Sequence, residues 1–367
     1  MLSEIQKLKI LLMTEGIAVS RAARDAFVAD DPKAPLTLAE YASTSGIGLR
    51  LHPNIWVNAP IHDFNPNFVE SPTAVLEYVG EGFLVRAGPL EIPATPVPVP
   101  QFHDHFNENG EAYVSYGVTH TDRIRISPIG GCAVACHFCN IPYEAGYQRR
   151  SIAGLIETVR VALADRRLPA RHVLISGGTP RPTDYDYENQ VYEAVCAAFP
   201  GTDVDVMMLP MPGLIDPAHL ARIGVHALYA NMELYNESRA RRVMPAKAKM
   251  GRAGYFAFID RAVEALGAGR VRSLLLVGLE SVEETLLGVE ELARRGCEPV
   301  LSPFRPDPAT PLRAERPPTV SVLEDVYLRA TEIVARYGMH LGPPCVPCHH
   351  NTLTFPDESG YYDDLPA

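Results

Sequence analysis

The sequence lacks long apolar runs. Its longest apolar stretches, such as residues 274–277, are far too short to cross a bilayer, and its first residues contain no signal-peptide core. Positive charge is also scarce. Lys and Arg number 33 against 44 Asp and Glu, for a net charge of −11, which argues against a nucleic-acid-binding surface. We therefore expect a cytoplasmic protein that binds neither membranes nor nucleic acid.

Cysteine is sparse, and its number is odd. The seven cysteines lie at positions 132, 136, 139, 196, 297, 345 and 348. In a cytosolic chain of this size, clustered cysteines are typical of metal or redox sites rather than of disulfides. Three of them form a C-x3-C-x2-C run, Cys132, Cys136 and Cys139, with Phe138 just before the last. Three thiolates in one short loop can bind three irons of a [4Fe–4S] cluster and leave the fourth open. A zinc site completed from elsewhere is the alternative, although zinc sites usually use C-x2-C pairs.

Strand-like and helix-like segments alternate from about residue 122 onward. Six apolar strands are predicted at residues 122–128, 171–178, 203–209, 227–234, 271–278 and 298–304, and a short seventh at residues 339–343. Apolar strands that alternate with helices indicate a parallel sheet with crossover helices. The pattern predicts an α/β fold, a partial (β/α)6 barrel whose active site lies at the carboxyl ends of the strands. The cysteine loop directly follows the first strand, which is the expected place.

The flanking parts differ from this pattern. Residues 1–121 predict a small α+β appendage with a helix at residues 3–15, short strands and a Pro-rich link at residues 92–102. We expect the barrel to occupy residues 122–340. Residues 341–367 would form a C-terminal C-x2-C segment and tail.

The cysteine run, with Phe138 and its position after the first strand, resembles the signature of the radical S-adenosylmethionine (SAM) superfamily. The similarity is closest to the group of biotin synthase, [FeFe]-hydrogenase maturase and methylornithine synthase. It covers roughly residues 122–340 and is absent from the first 120. The resemblance implies that a [4Fe–4S] cluster chelates SAM and cleaves it reductively to a 5′-deoxyadenosyl radical.

Two segments resemble SAM-contacting parts of that superfamily. The second strand ends in Ser176, Gly177, Gly178 and Thr179, which is similar to a Gly-Gly-Glu-like segment that contacts the SAM amino group, with Thr179 in place of Glu. An ordinary glycine turn is the alternative. In the fourth strand, the resemblance places Asn231 and Glu233 on SAM. A carboxylate inside an apolar strand needs a partner, which a ribose diol or a salt bridge with Arg241 or Arg242 could supply.

Two further positions follow from the resemblance. Gly278, at the end of the fifth strand, matches a segment beneath the adenine ring. The arginine that relatives use to bind the SAM carboxylate is missing at the expected point. Arg252 lies just upstream and is the nearest replacement, with Arg241, Arg242 and Lys247 as other candidates.

Cys345 and Cys348 form a second motif, a C-x2-C pair followed by two histidines. We expect Cys345 at the end of the last strand, on the active-site face. The pair could ligate a second Fe–S cluster or a zinc ion, or act catalytically as thiols that give or accept a hydrogen atom. A redox-labile surface pair is the alternative. His103, Asp104, His105 and His120 could supply further metal ligands, although loop residues near a substrate are the simpler interpretation.

Together these features predict a radical SAM enzyme that removes a hydrogen atom from a small-molecule substrate. The outcome could be sulfur insertion, C–C cleavage, rearrangement or dehydrogenation. The resemblance also implies an electron donor such as flavodoxin or ferredoxin. Two alternatives stay open: SAM cleavage that transfers another group, and a non-catalytic Fe–S or zinc-binding protein.

Overall fold

The computed structural model describes residues 2–30, 36–37, 45–66 and 69–356. Residues 357–367, the end of the predicted tail, lie outside the described residues. Within the described ranges, no helix is long and apolar enough to cross a membrane.

The N-terminal part is a mostly antiparallel sheet with two helices, α1 (Glu4–Glu15) and α2 (Arg21–Asp30). Its strands are β1 (Ala18–Val19), β2 (Leu36–Thr37), β3 (Gly46–Leu51), β4 (Ile55–Ala59), β5 (Ala74–Val79), β6 (Gly82–Ala87) and β7 (Leu90–Pro96). Their order is β1-β5-β6-β7-β3-β2, with β4 paired to β3. The predicted α+β character of this part is confirmed.

Strand β7 corrects one expectation, because its residues fall largely in the predicted Pro-rich link. Pro93 pairs with Leu84 of β6 in the sheet. Proline has no N–H to donate, but its carbonyl oxygen still accepts from the backbone N–H of His52 at 3.0 Å. Pro93 therefore still takes part in one backbone hydrogen bond, as an acceptor, although it cannot donate one.

The remainder of the chain forms a half-barrel. Its strands are β8 (Gly117–His120), β9 (Arg123–Ile126), β12 (His172–Ile175), β13 (Val204–Met207), β14 (Ala227–Tyr229), β15 (Val271–Val277) and β16 (Glu298–Pro303), while β10 (Ile129–Gly130) and β11 (Gln148–Arg149) form a separate pair. The helices are α3 (Ile141–Glu144), α4 (Ile152–Leu163), α5 (Tyr185–Ala198), α6 (Pro217–Arg222), α7 (Glu237–Val243), α8 (Gly251–Leu266), α9 (Val282–Arg294) and α10 (Val320–Ala335).

The strand order confirms the predicted partial (β/α)6 barrel. The order is β16-β15-β14-β13-β12-β9-β8, and every neighbouring pair from β9 to β16 is parallel. Strand β8 pairs antiparallel with β9 at one edge, so the barrel sheet begins at Gly117. The domain division at residues 121 and 340 stays a prediction.

Helix α9 illustrates how the sequence builds the outer layer. Ser281 and Glu284 form a reciprocal capping box at its N-terminus, which satisfies backbone N–H groups that have no partner inside the helix. Leu286, Val289 and Leu292 recur at helical spacing and are buried. This apolar stripe covers the outer face of the sheet, and the inward-pointing strand residues are left to line the interior.

The predicted seventh strand at residues 339–343 is wrong. Those residues have no strand conformation, and the chain instead continues as an irregular segment alongside β16. The N–H of Gly342 donates to the carbonyl of Pro299 at 2.9 Å, and that of Leu353 donates to Leu301 at 2.8 Å. We call residues 340–356 the C-terminal segment.

Two buried cations join the N-terminal part to the barrel. Lys9 of α1 donates to the carbonyl oxygens of His349 and Thr354 at 2.8 and 2.7 Å. Arg305, just beyond β16, donates to the carbonyl oxygen of Asn58 at 2.7 Å. Burial lowers the pKa of Lys9 and lowers that of Arg305 to about 9, because the charged forms lose water. The carbonyl partners offset part of that cost.

Candidate active site

The three-cysteine loop lies at the carboxyl end of the barrel, as predicted. It begins just after β9 and β10 and ends at β11. Antiparallel pairing of β10 with β11 joins Ile129 to Arg149 and Gly130 to Gln148 and closes the base of the loop. The short helix α3 completes the loop after Cys139.

Close contact with the end of β12 fixes the position of the loop. A Cβ atom on Gly178 would lie only 1.6 Å from the carbonyl oxygen of Gly131, so only glycine fits there. The N–H of Ala133 donates to the carbonyl of Thr179 at 2.9 Å. In return, the N–H of Thr179 donates to the sulfur of Cys132 at 3.2 Å. Glycine at 178 therefore brings backbone donors within reach of a cluster thiolate.

The three sulfurs fit an iron–sulfur cluster better than a single ion. All three cysteines are partly buried, and burial raises the pKa of Cys136 and Cys139 to about 12. Bound cations are what would bring such thiols to the thiolate form. Neither the three sulfurs nor any two of them with a described His, Asp or Glu form a group whose ligand atoms all lie within 4.8 Å of one another. A tetrahedral zinc ion needs converging ligands, whereas a cluster takes each thiolate on a separate iron.

A cavity of about 290 Å³ opens beneath the loop and extends into the barrel. The predicted site residues that line it are Cys132, Cys136, Phe138, Cys139, Ser176, Gly177, Gly178, Thr179, Asn231 and Glu233. The structure thus gathers predicted residues from three separate segments around one space. That volume is at the lower end of the range for small-molecule sites.

Glu233 has an unusual backbone. Its φ angle is +66°, in the left-handed region that is unfavourable for a non-glycine residue. Two parallel-sheet hydrogen bonds hold it there, from its N–H to Leu274 at 2.8 Å and from the N–H of Leu276 to its carbonyl at 2.9 Å. Strain of this kind is concentrated at functional sites, and here it places the carboxylate in the cavity wall.

The partner of the Glu233 carboxylate is Lys247. The Nζ atom of Lys247 lies 3.0 Å from Oε1 of Glu233, and both side chains are largely buried. Neither Arg241 nor Arg242, the partners considered from the sequence, makes this salt bridge among the described contacts. Lys247 lines the cavity, and it is the candidate for SAM carboxylate binding that the structure places nearest to Glu233.

Two predicted residues lie outside the cavity lining. The guanidinium of Arg252 stacks on the ring of Tyr235 at 4.4 Å and approaches the Tyr235 carbonyl. At Gly278, with φ +108°, a Cβ atom would lie 2.8 Å from Cδ of Pro318. That glycine is explained by close packing of the chain that leads to α10. The SAM contacts suggested for both stay predictions.

The lower part of the cavity contains residues that the sequence reasoning missed. Arg123 and Arg125, at alternate positions of β9, line the cavity together with Tyr229 and Arg305. The Arg-Ile-Arg-Ile alternation of β9 could have revealed the first two, because successive strand residues face opposite sides. Among the lining residues of the described chain, four are cationic, Arg305 and Lys247 among them, and one, Glu233, is a carboxylate. The Arg305 guanidinium is already held by Met13 and Asn58 of the N-terminal part.

Two histidines also reach this lower part. The rings of His120 and His350 stack at 6.3 Å, and both residues line the cavity. Burial lowers the pKa of both imidazoles, that of His350 to about 3, so both are neutral near pH 7. The other candidate ligands suggested with His120, which are His103, Asp104 and His105, are not among the lining residues.

The C-x2-C pair lies at the opposite end of the barrel from the cysteine loop. The sulfur of Cys345 is 3.4 Å from Asp122, just before β9, and 3.5 Å from His172, the first residue of β12. These are the amino ends of the strands, so the expectation that Cys345 faces the active-site end is wrong. The reason is that residues 339–343 form no seventh strand: Gly342 bonds to Pro299 near the amino end of β16, and Cys345 follows only three residues later.

Strong electrostatic coupling links these four groups. Burial acts to lower the pKa of His172, but the Cys348 sulfur and the Asp122 carboxylate outweigh it and raise that pKa to about 10. Burial acts to raise the pKa of Cys348, but the Cys345 thiol, Arg123 and His172 lower it to about 6. The cluster therefore favours a negative sulfur beside a positive partner.

No protein-family model matches the sequence, and no curated protein matches it. The [FeFe]-hydrogenase maturase HydG from Carboxydothermus hydrogenoformans is 17% identical over 59% of this chain and 52% of its own, with a TM-score of 0.45. Another HydG structure, a maturase of the [FeFe]-hydrogenase, is 14% identical over 59% and 50%, with a TM-score of 0.42. The chain thus spans about half the length of these two proteins.

A third solved structure is similar over a larger share of both chains. It is a radical SAM methyltransferase from Sphaerobacter thermophilus, 17% identical over 74% of this chain and 76% of its own, with a TM-score of 0.46. Its name includes the radical SAM superfamily, whose cysteine signature this sequence resembles.

Proposed function

We propose that this protein is a radical SAM enzyme that acts on a small molecule inside its half-barrel. One observation carries the proposal: three cysteine sulfurs at the carboxyl ends of the strands face a cavity that also contains the Gly177-Gly178 segment and Glu233. With the cluster bound and reduced, SAM would supply a 5′-deoxyadenosyl radical at this place. The cavity lies directly beneath it, where a substrate C–H bond could be held close.

The chain's own residues would bind and orient SAM. Cys132, Cys136 and Cys139 would hold the cluster, and Phe138 would cover it from the loop. Backbone groups of residues 176–179 would contact the SAM amino group. Asn231 and Glu233 would accept hydrogen bonds from the ribose hydroxyls, as a carboxylate and an amide oxygen can. Lys247, which already pairs with Glu233, would bring positive charge to the SAM carboxylate.

The lower cavity favours an anionic substrate. Arg123 and Arg125 line it together with the neutral His120 and His350. In an enclosed cavity, cations attract an opposite charge strongly, because little water screens them. We infer a small carboxylate or phosphate as the substrate class, and a cytoplasmic one-electron donor of flavodoxin or ferredoxin type as the partner.

The direct test is anaerobic reconstitution with iron and sulfide, followed by dithionite and SAM. The expected result is 5′-deoxyadenosine, detected by mass spectrometry, and its loss in Cys136→Ala but not in the control Cys196→Ala. Release of S-adenosylhomocysteine or methylthioadenosine would favour the group-transfer alternative. A fully reconstituted, reduced protein that leaves SAM intact with every small carboxylate and phosphate supplied would contradict the proposal.

A further inference from the structure

Four side chains of metal-ligand type meet at the amino ends of the barrel strands. They are Asp122, which precedes β9, His172, which begins β12, and Cys345 and Cys348 of the C-terminal segment. One ligand atom from each lies within 4.8 Å of the other three. Among the described residues this is the one group of three or more His, Cys, Asp and Glu that converges in this way. The proposed radical chemistry does not use it.

The separations between these atoms match a tetrahedron around one ion. With zinc–ligand bonds of about 2.0–2.3 Å, tetrahedral edges are about 3.3–3.8 Å. The distance from Cys345 is 3.4 Å to Asp122 and 3.5 Å to His172. The distance from Cys348 is 3.8 Å to Asp122 and 3.4 Å to His172, and His172 lies 3.5 Å from Asp122. Five of the six edges therefore have the expected length.

The sixth edge, between the two sulfurs, measures 2.7 Å. It would lengthen by about 1 Å when both sulfurs bind the same ion. Rotation about the Cα–Cβ bond of Cys345, which is only partly buried, can provide that change.

We propose that Asp122, His172, Cys345 and Cys348 bind one structural zinc ion. One carboxylate oxygen, one imidazole nitrogen and two thiolates are all donors that zinc accepts, and four protein ligands leave no open position for substrate. A second Fe–S cluster would spread its ligands over several irons, whereas these four atoms converge on one point. The zinc site is independent of the proposed SAM chemistry at the other end of the barrel.

The charges at the site fit a divalent cation. A carboxylate and two thiolates bring three negative charges into a largely buried position, where they would repel one another strongly. Zinc leaves one of these charges uncompensated. Arg123, next to Asp122 in sequence and also in the cavity lining, acts electrostatically on both sulfurs and offsets part of the remaining negative charge.

The position of the site explains what the ion would stabilise. Asp122 and His172 belong to strands near one edge of the half-barrel, while the C-terminal segment extends along β16 at the other edge. Zinc would therefore link the two edges across the base of the barrel. His350 and Asn351, immediately after the second cysteine, line the substrate cavity. The ion would thus hold the floor of the active site in place.

Zinc and iron contents of the full-length chain test this inference. We expect about one zinc per chain in the wild type, by inductively coupled plasma mass spectrometry. A variant without the loop cysteines, Cys132→Ala/Cys136→Ala/Cys139→Ala, should lose iron and keep its zinc. Cys345→Ser/Cys348→Ser should lose zinc, while the control Cys196→Ser keeps it. Zinc retention by the loop variant is independent of whether the wild type cleaves SAM.

Cobalt substitution covers the case in which the double-serine variant does not fold. The cobalt-loaded loop variant should show the strong visible bands of tetrahedral Co²⁺ and a sulfur-to-metal charge-transfer band from two thiolates. About eight irons per chain in the wild type would overturn the inference in favour of a second cluster. Zinc-free reduced protein would also overturn it, and so would a Cys345–Cys348 disulfide in protein purified without oxygen.

Discussion

Replacing Gly178 by alanine tests how the two halves of the proposed cluster site are joined. The added Cβ atom would lie 1.6 Å from the carbonyl oxygen of Gly131, and real Cβ contacts are essentially never shorter than 3.0 Å. The end of β12 and the cysteine loop must therefore separate by at least 1.4 Å, the difference between these two distances. The atoms that the Cβ would meet, in Gly131 and Cys132, all belong to the backbone, so no flexible side chain can absorb the overlap.

That separation would break the two hydrogen bonds between these segments. They join the Ala133 N–H to the Thr179 carbonyl at 2.9 Å and the Thr179 N–H to the Cys132 sulfur at 3.2 Å. The neutral bond contributes about 1 kcal/mol, and the bond to a thiolate about 1.5–3 kcal/mol. A loss of about 3 kcal/mol corresponds to an equilibrium constant for cluster retention that is more than 100-fold lower.

Iron and sulfide per chain after anaerobic reconstitution, together with SAM affinity, measure this effect. We expect Gly178→Ala to lose most of its cluster and its SAM binding. Gly146→Ala is the matched control, since a Cβ atom at Gly146, in the same loop, meets nothing within 4 Å. Full iron content and unchanged SAM affinity in Gly178→Ala would refute the reasoning that close backbone approach positions Cys132.

Three further predictions concern single side chains. Glu233→Gln should weaken SAM binding about tenfold, measured by calorimetry, because a charged acceptor is lost beside Lys247. Lys9→Met should lower the melting temperature and speed proteolysis of the C-terminal segment, because two buried carbonyls lose their donor, at a cost of about 2–4 kcal/mol. Burial raises the pKa of Glu188 from 4.5 to about 8, so the folded protein keeps a proton that the unfolded chain loses. The free energy of unfolding should therefore fall as pH rises from 4.5 to about 8, by up to about 1.4 kcal/mol per pH unit. Glu188→Gln should flatten that slope.

For each of these three predictions, one result would contradict it. Unchanged SAM affinity in Glu233→Gln, with normal iron content, would remove the carboxylate from SAM recognition. The exposed Lys7→Met is the control for Lys9, and equal melting temperatures of the two variants would contradict the docking role of Lys9. Chemical denaturation at several pH values decides the third. A wild-type slope that is identical to the slope of Glu188→Gln would show that Glu188 titrates normally in the folded protein.

Much of the fold could be predicted from local patterns in the sequence. Apolar runs that alternate with amphipathic helices such as α9 are enough to specify parallel strands with crossovers, and the strand order confirms them. Strand β7 was missed because its prolines resemble a link, whereas its pairing depends on the distant strand β3 and on N–H donors outside its own sequence. The C-terminal segment was misplaced because its hydrogen bonds to β16 have no signature in its own sequence.

The site was predictable where its residues are adjacent in the chain. The spacing of Cys132, Cys136 and Cys139 already places three thiolates in one loop. Arg252 was assigned by its position relative to a helix, but in the structure it stacks on Tyr235. Lys247 was only one of several basic candidates, and the ion pair with Glu233 singles it out.

By itself, the sequence determined the repeated β/α units and the cysteine loop after the first of them, because both depend on neighbours within a few residues. Only the tertiary structure decided which distant groups meet. Asp122, His172 and Cys345 are far apart along the chain, and closing the half-barrel brings their ligand atoms within 4.8 Å. Such convergence depends on the curvature of the sheet and on the path of the C-terminal segment, which no local pattern encodes.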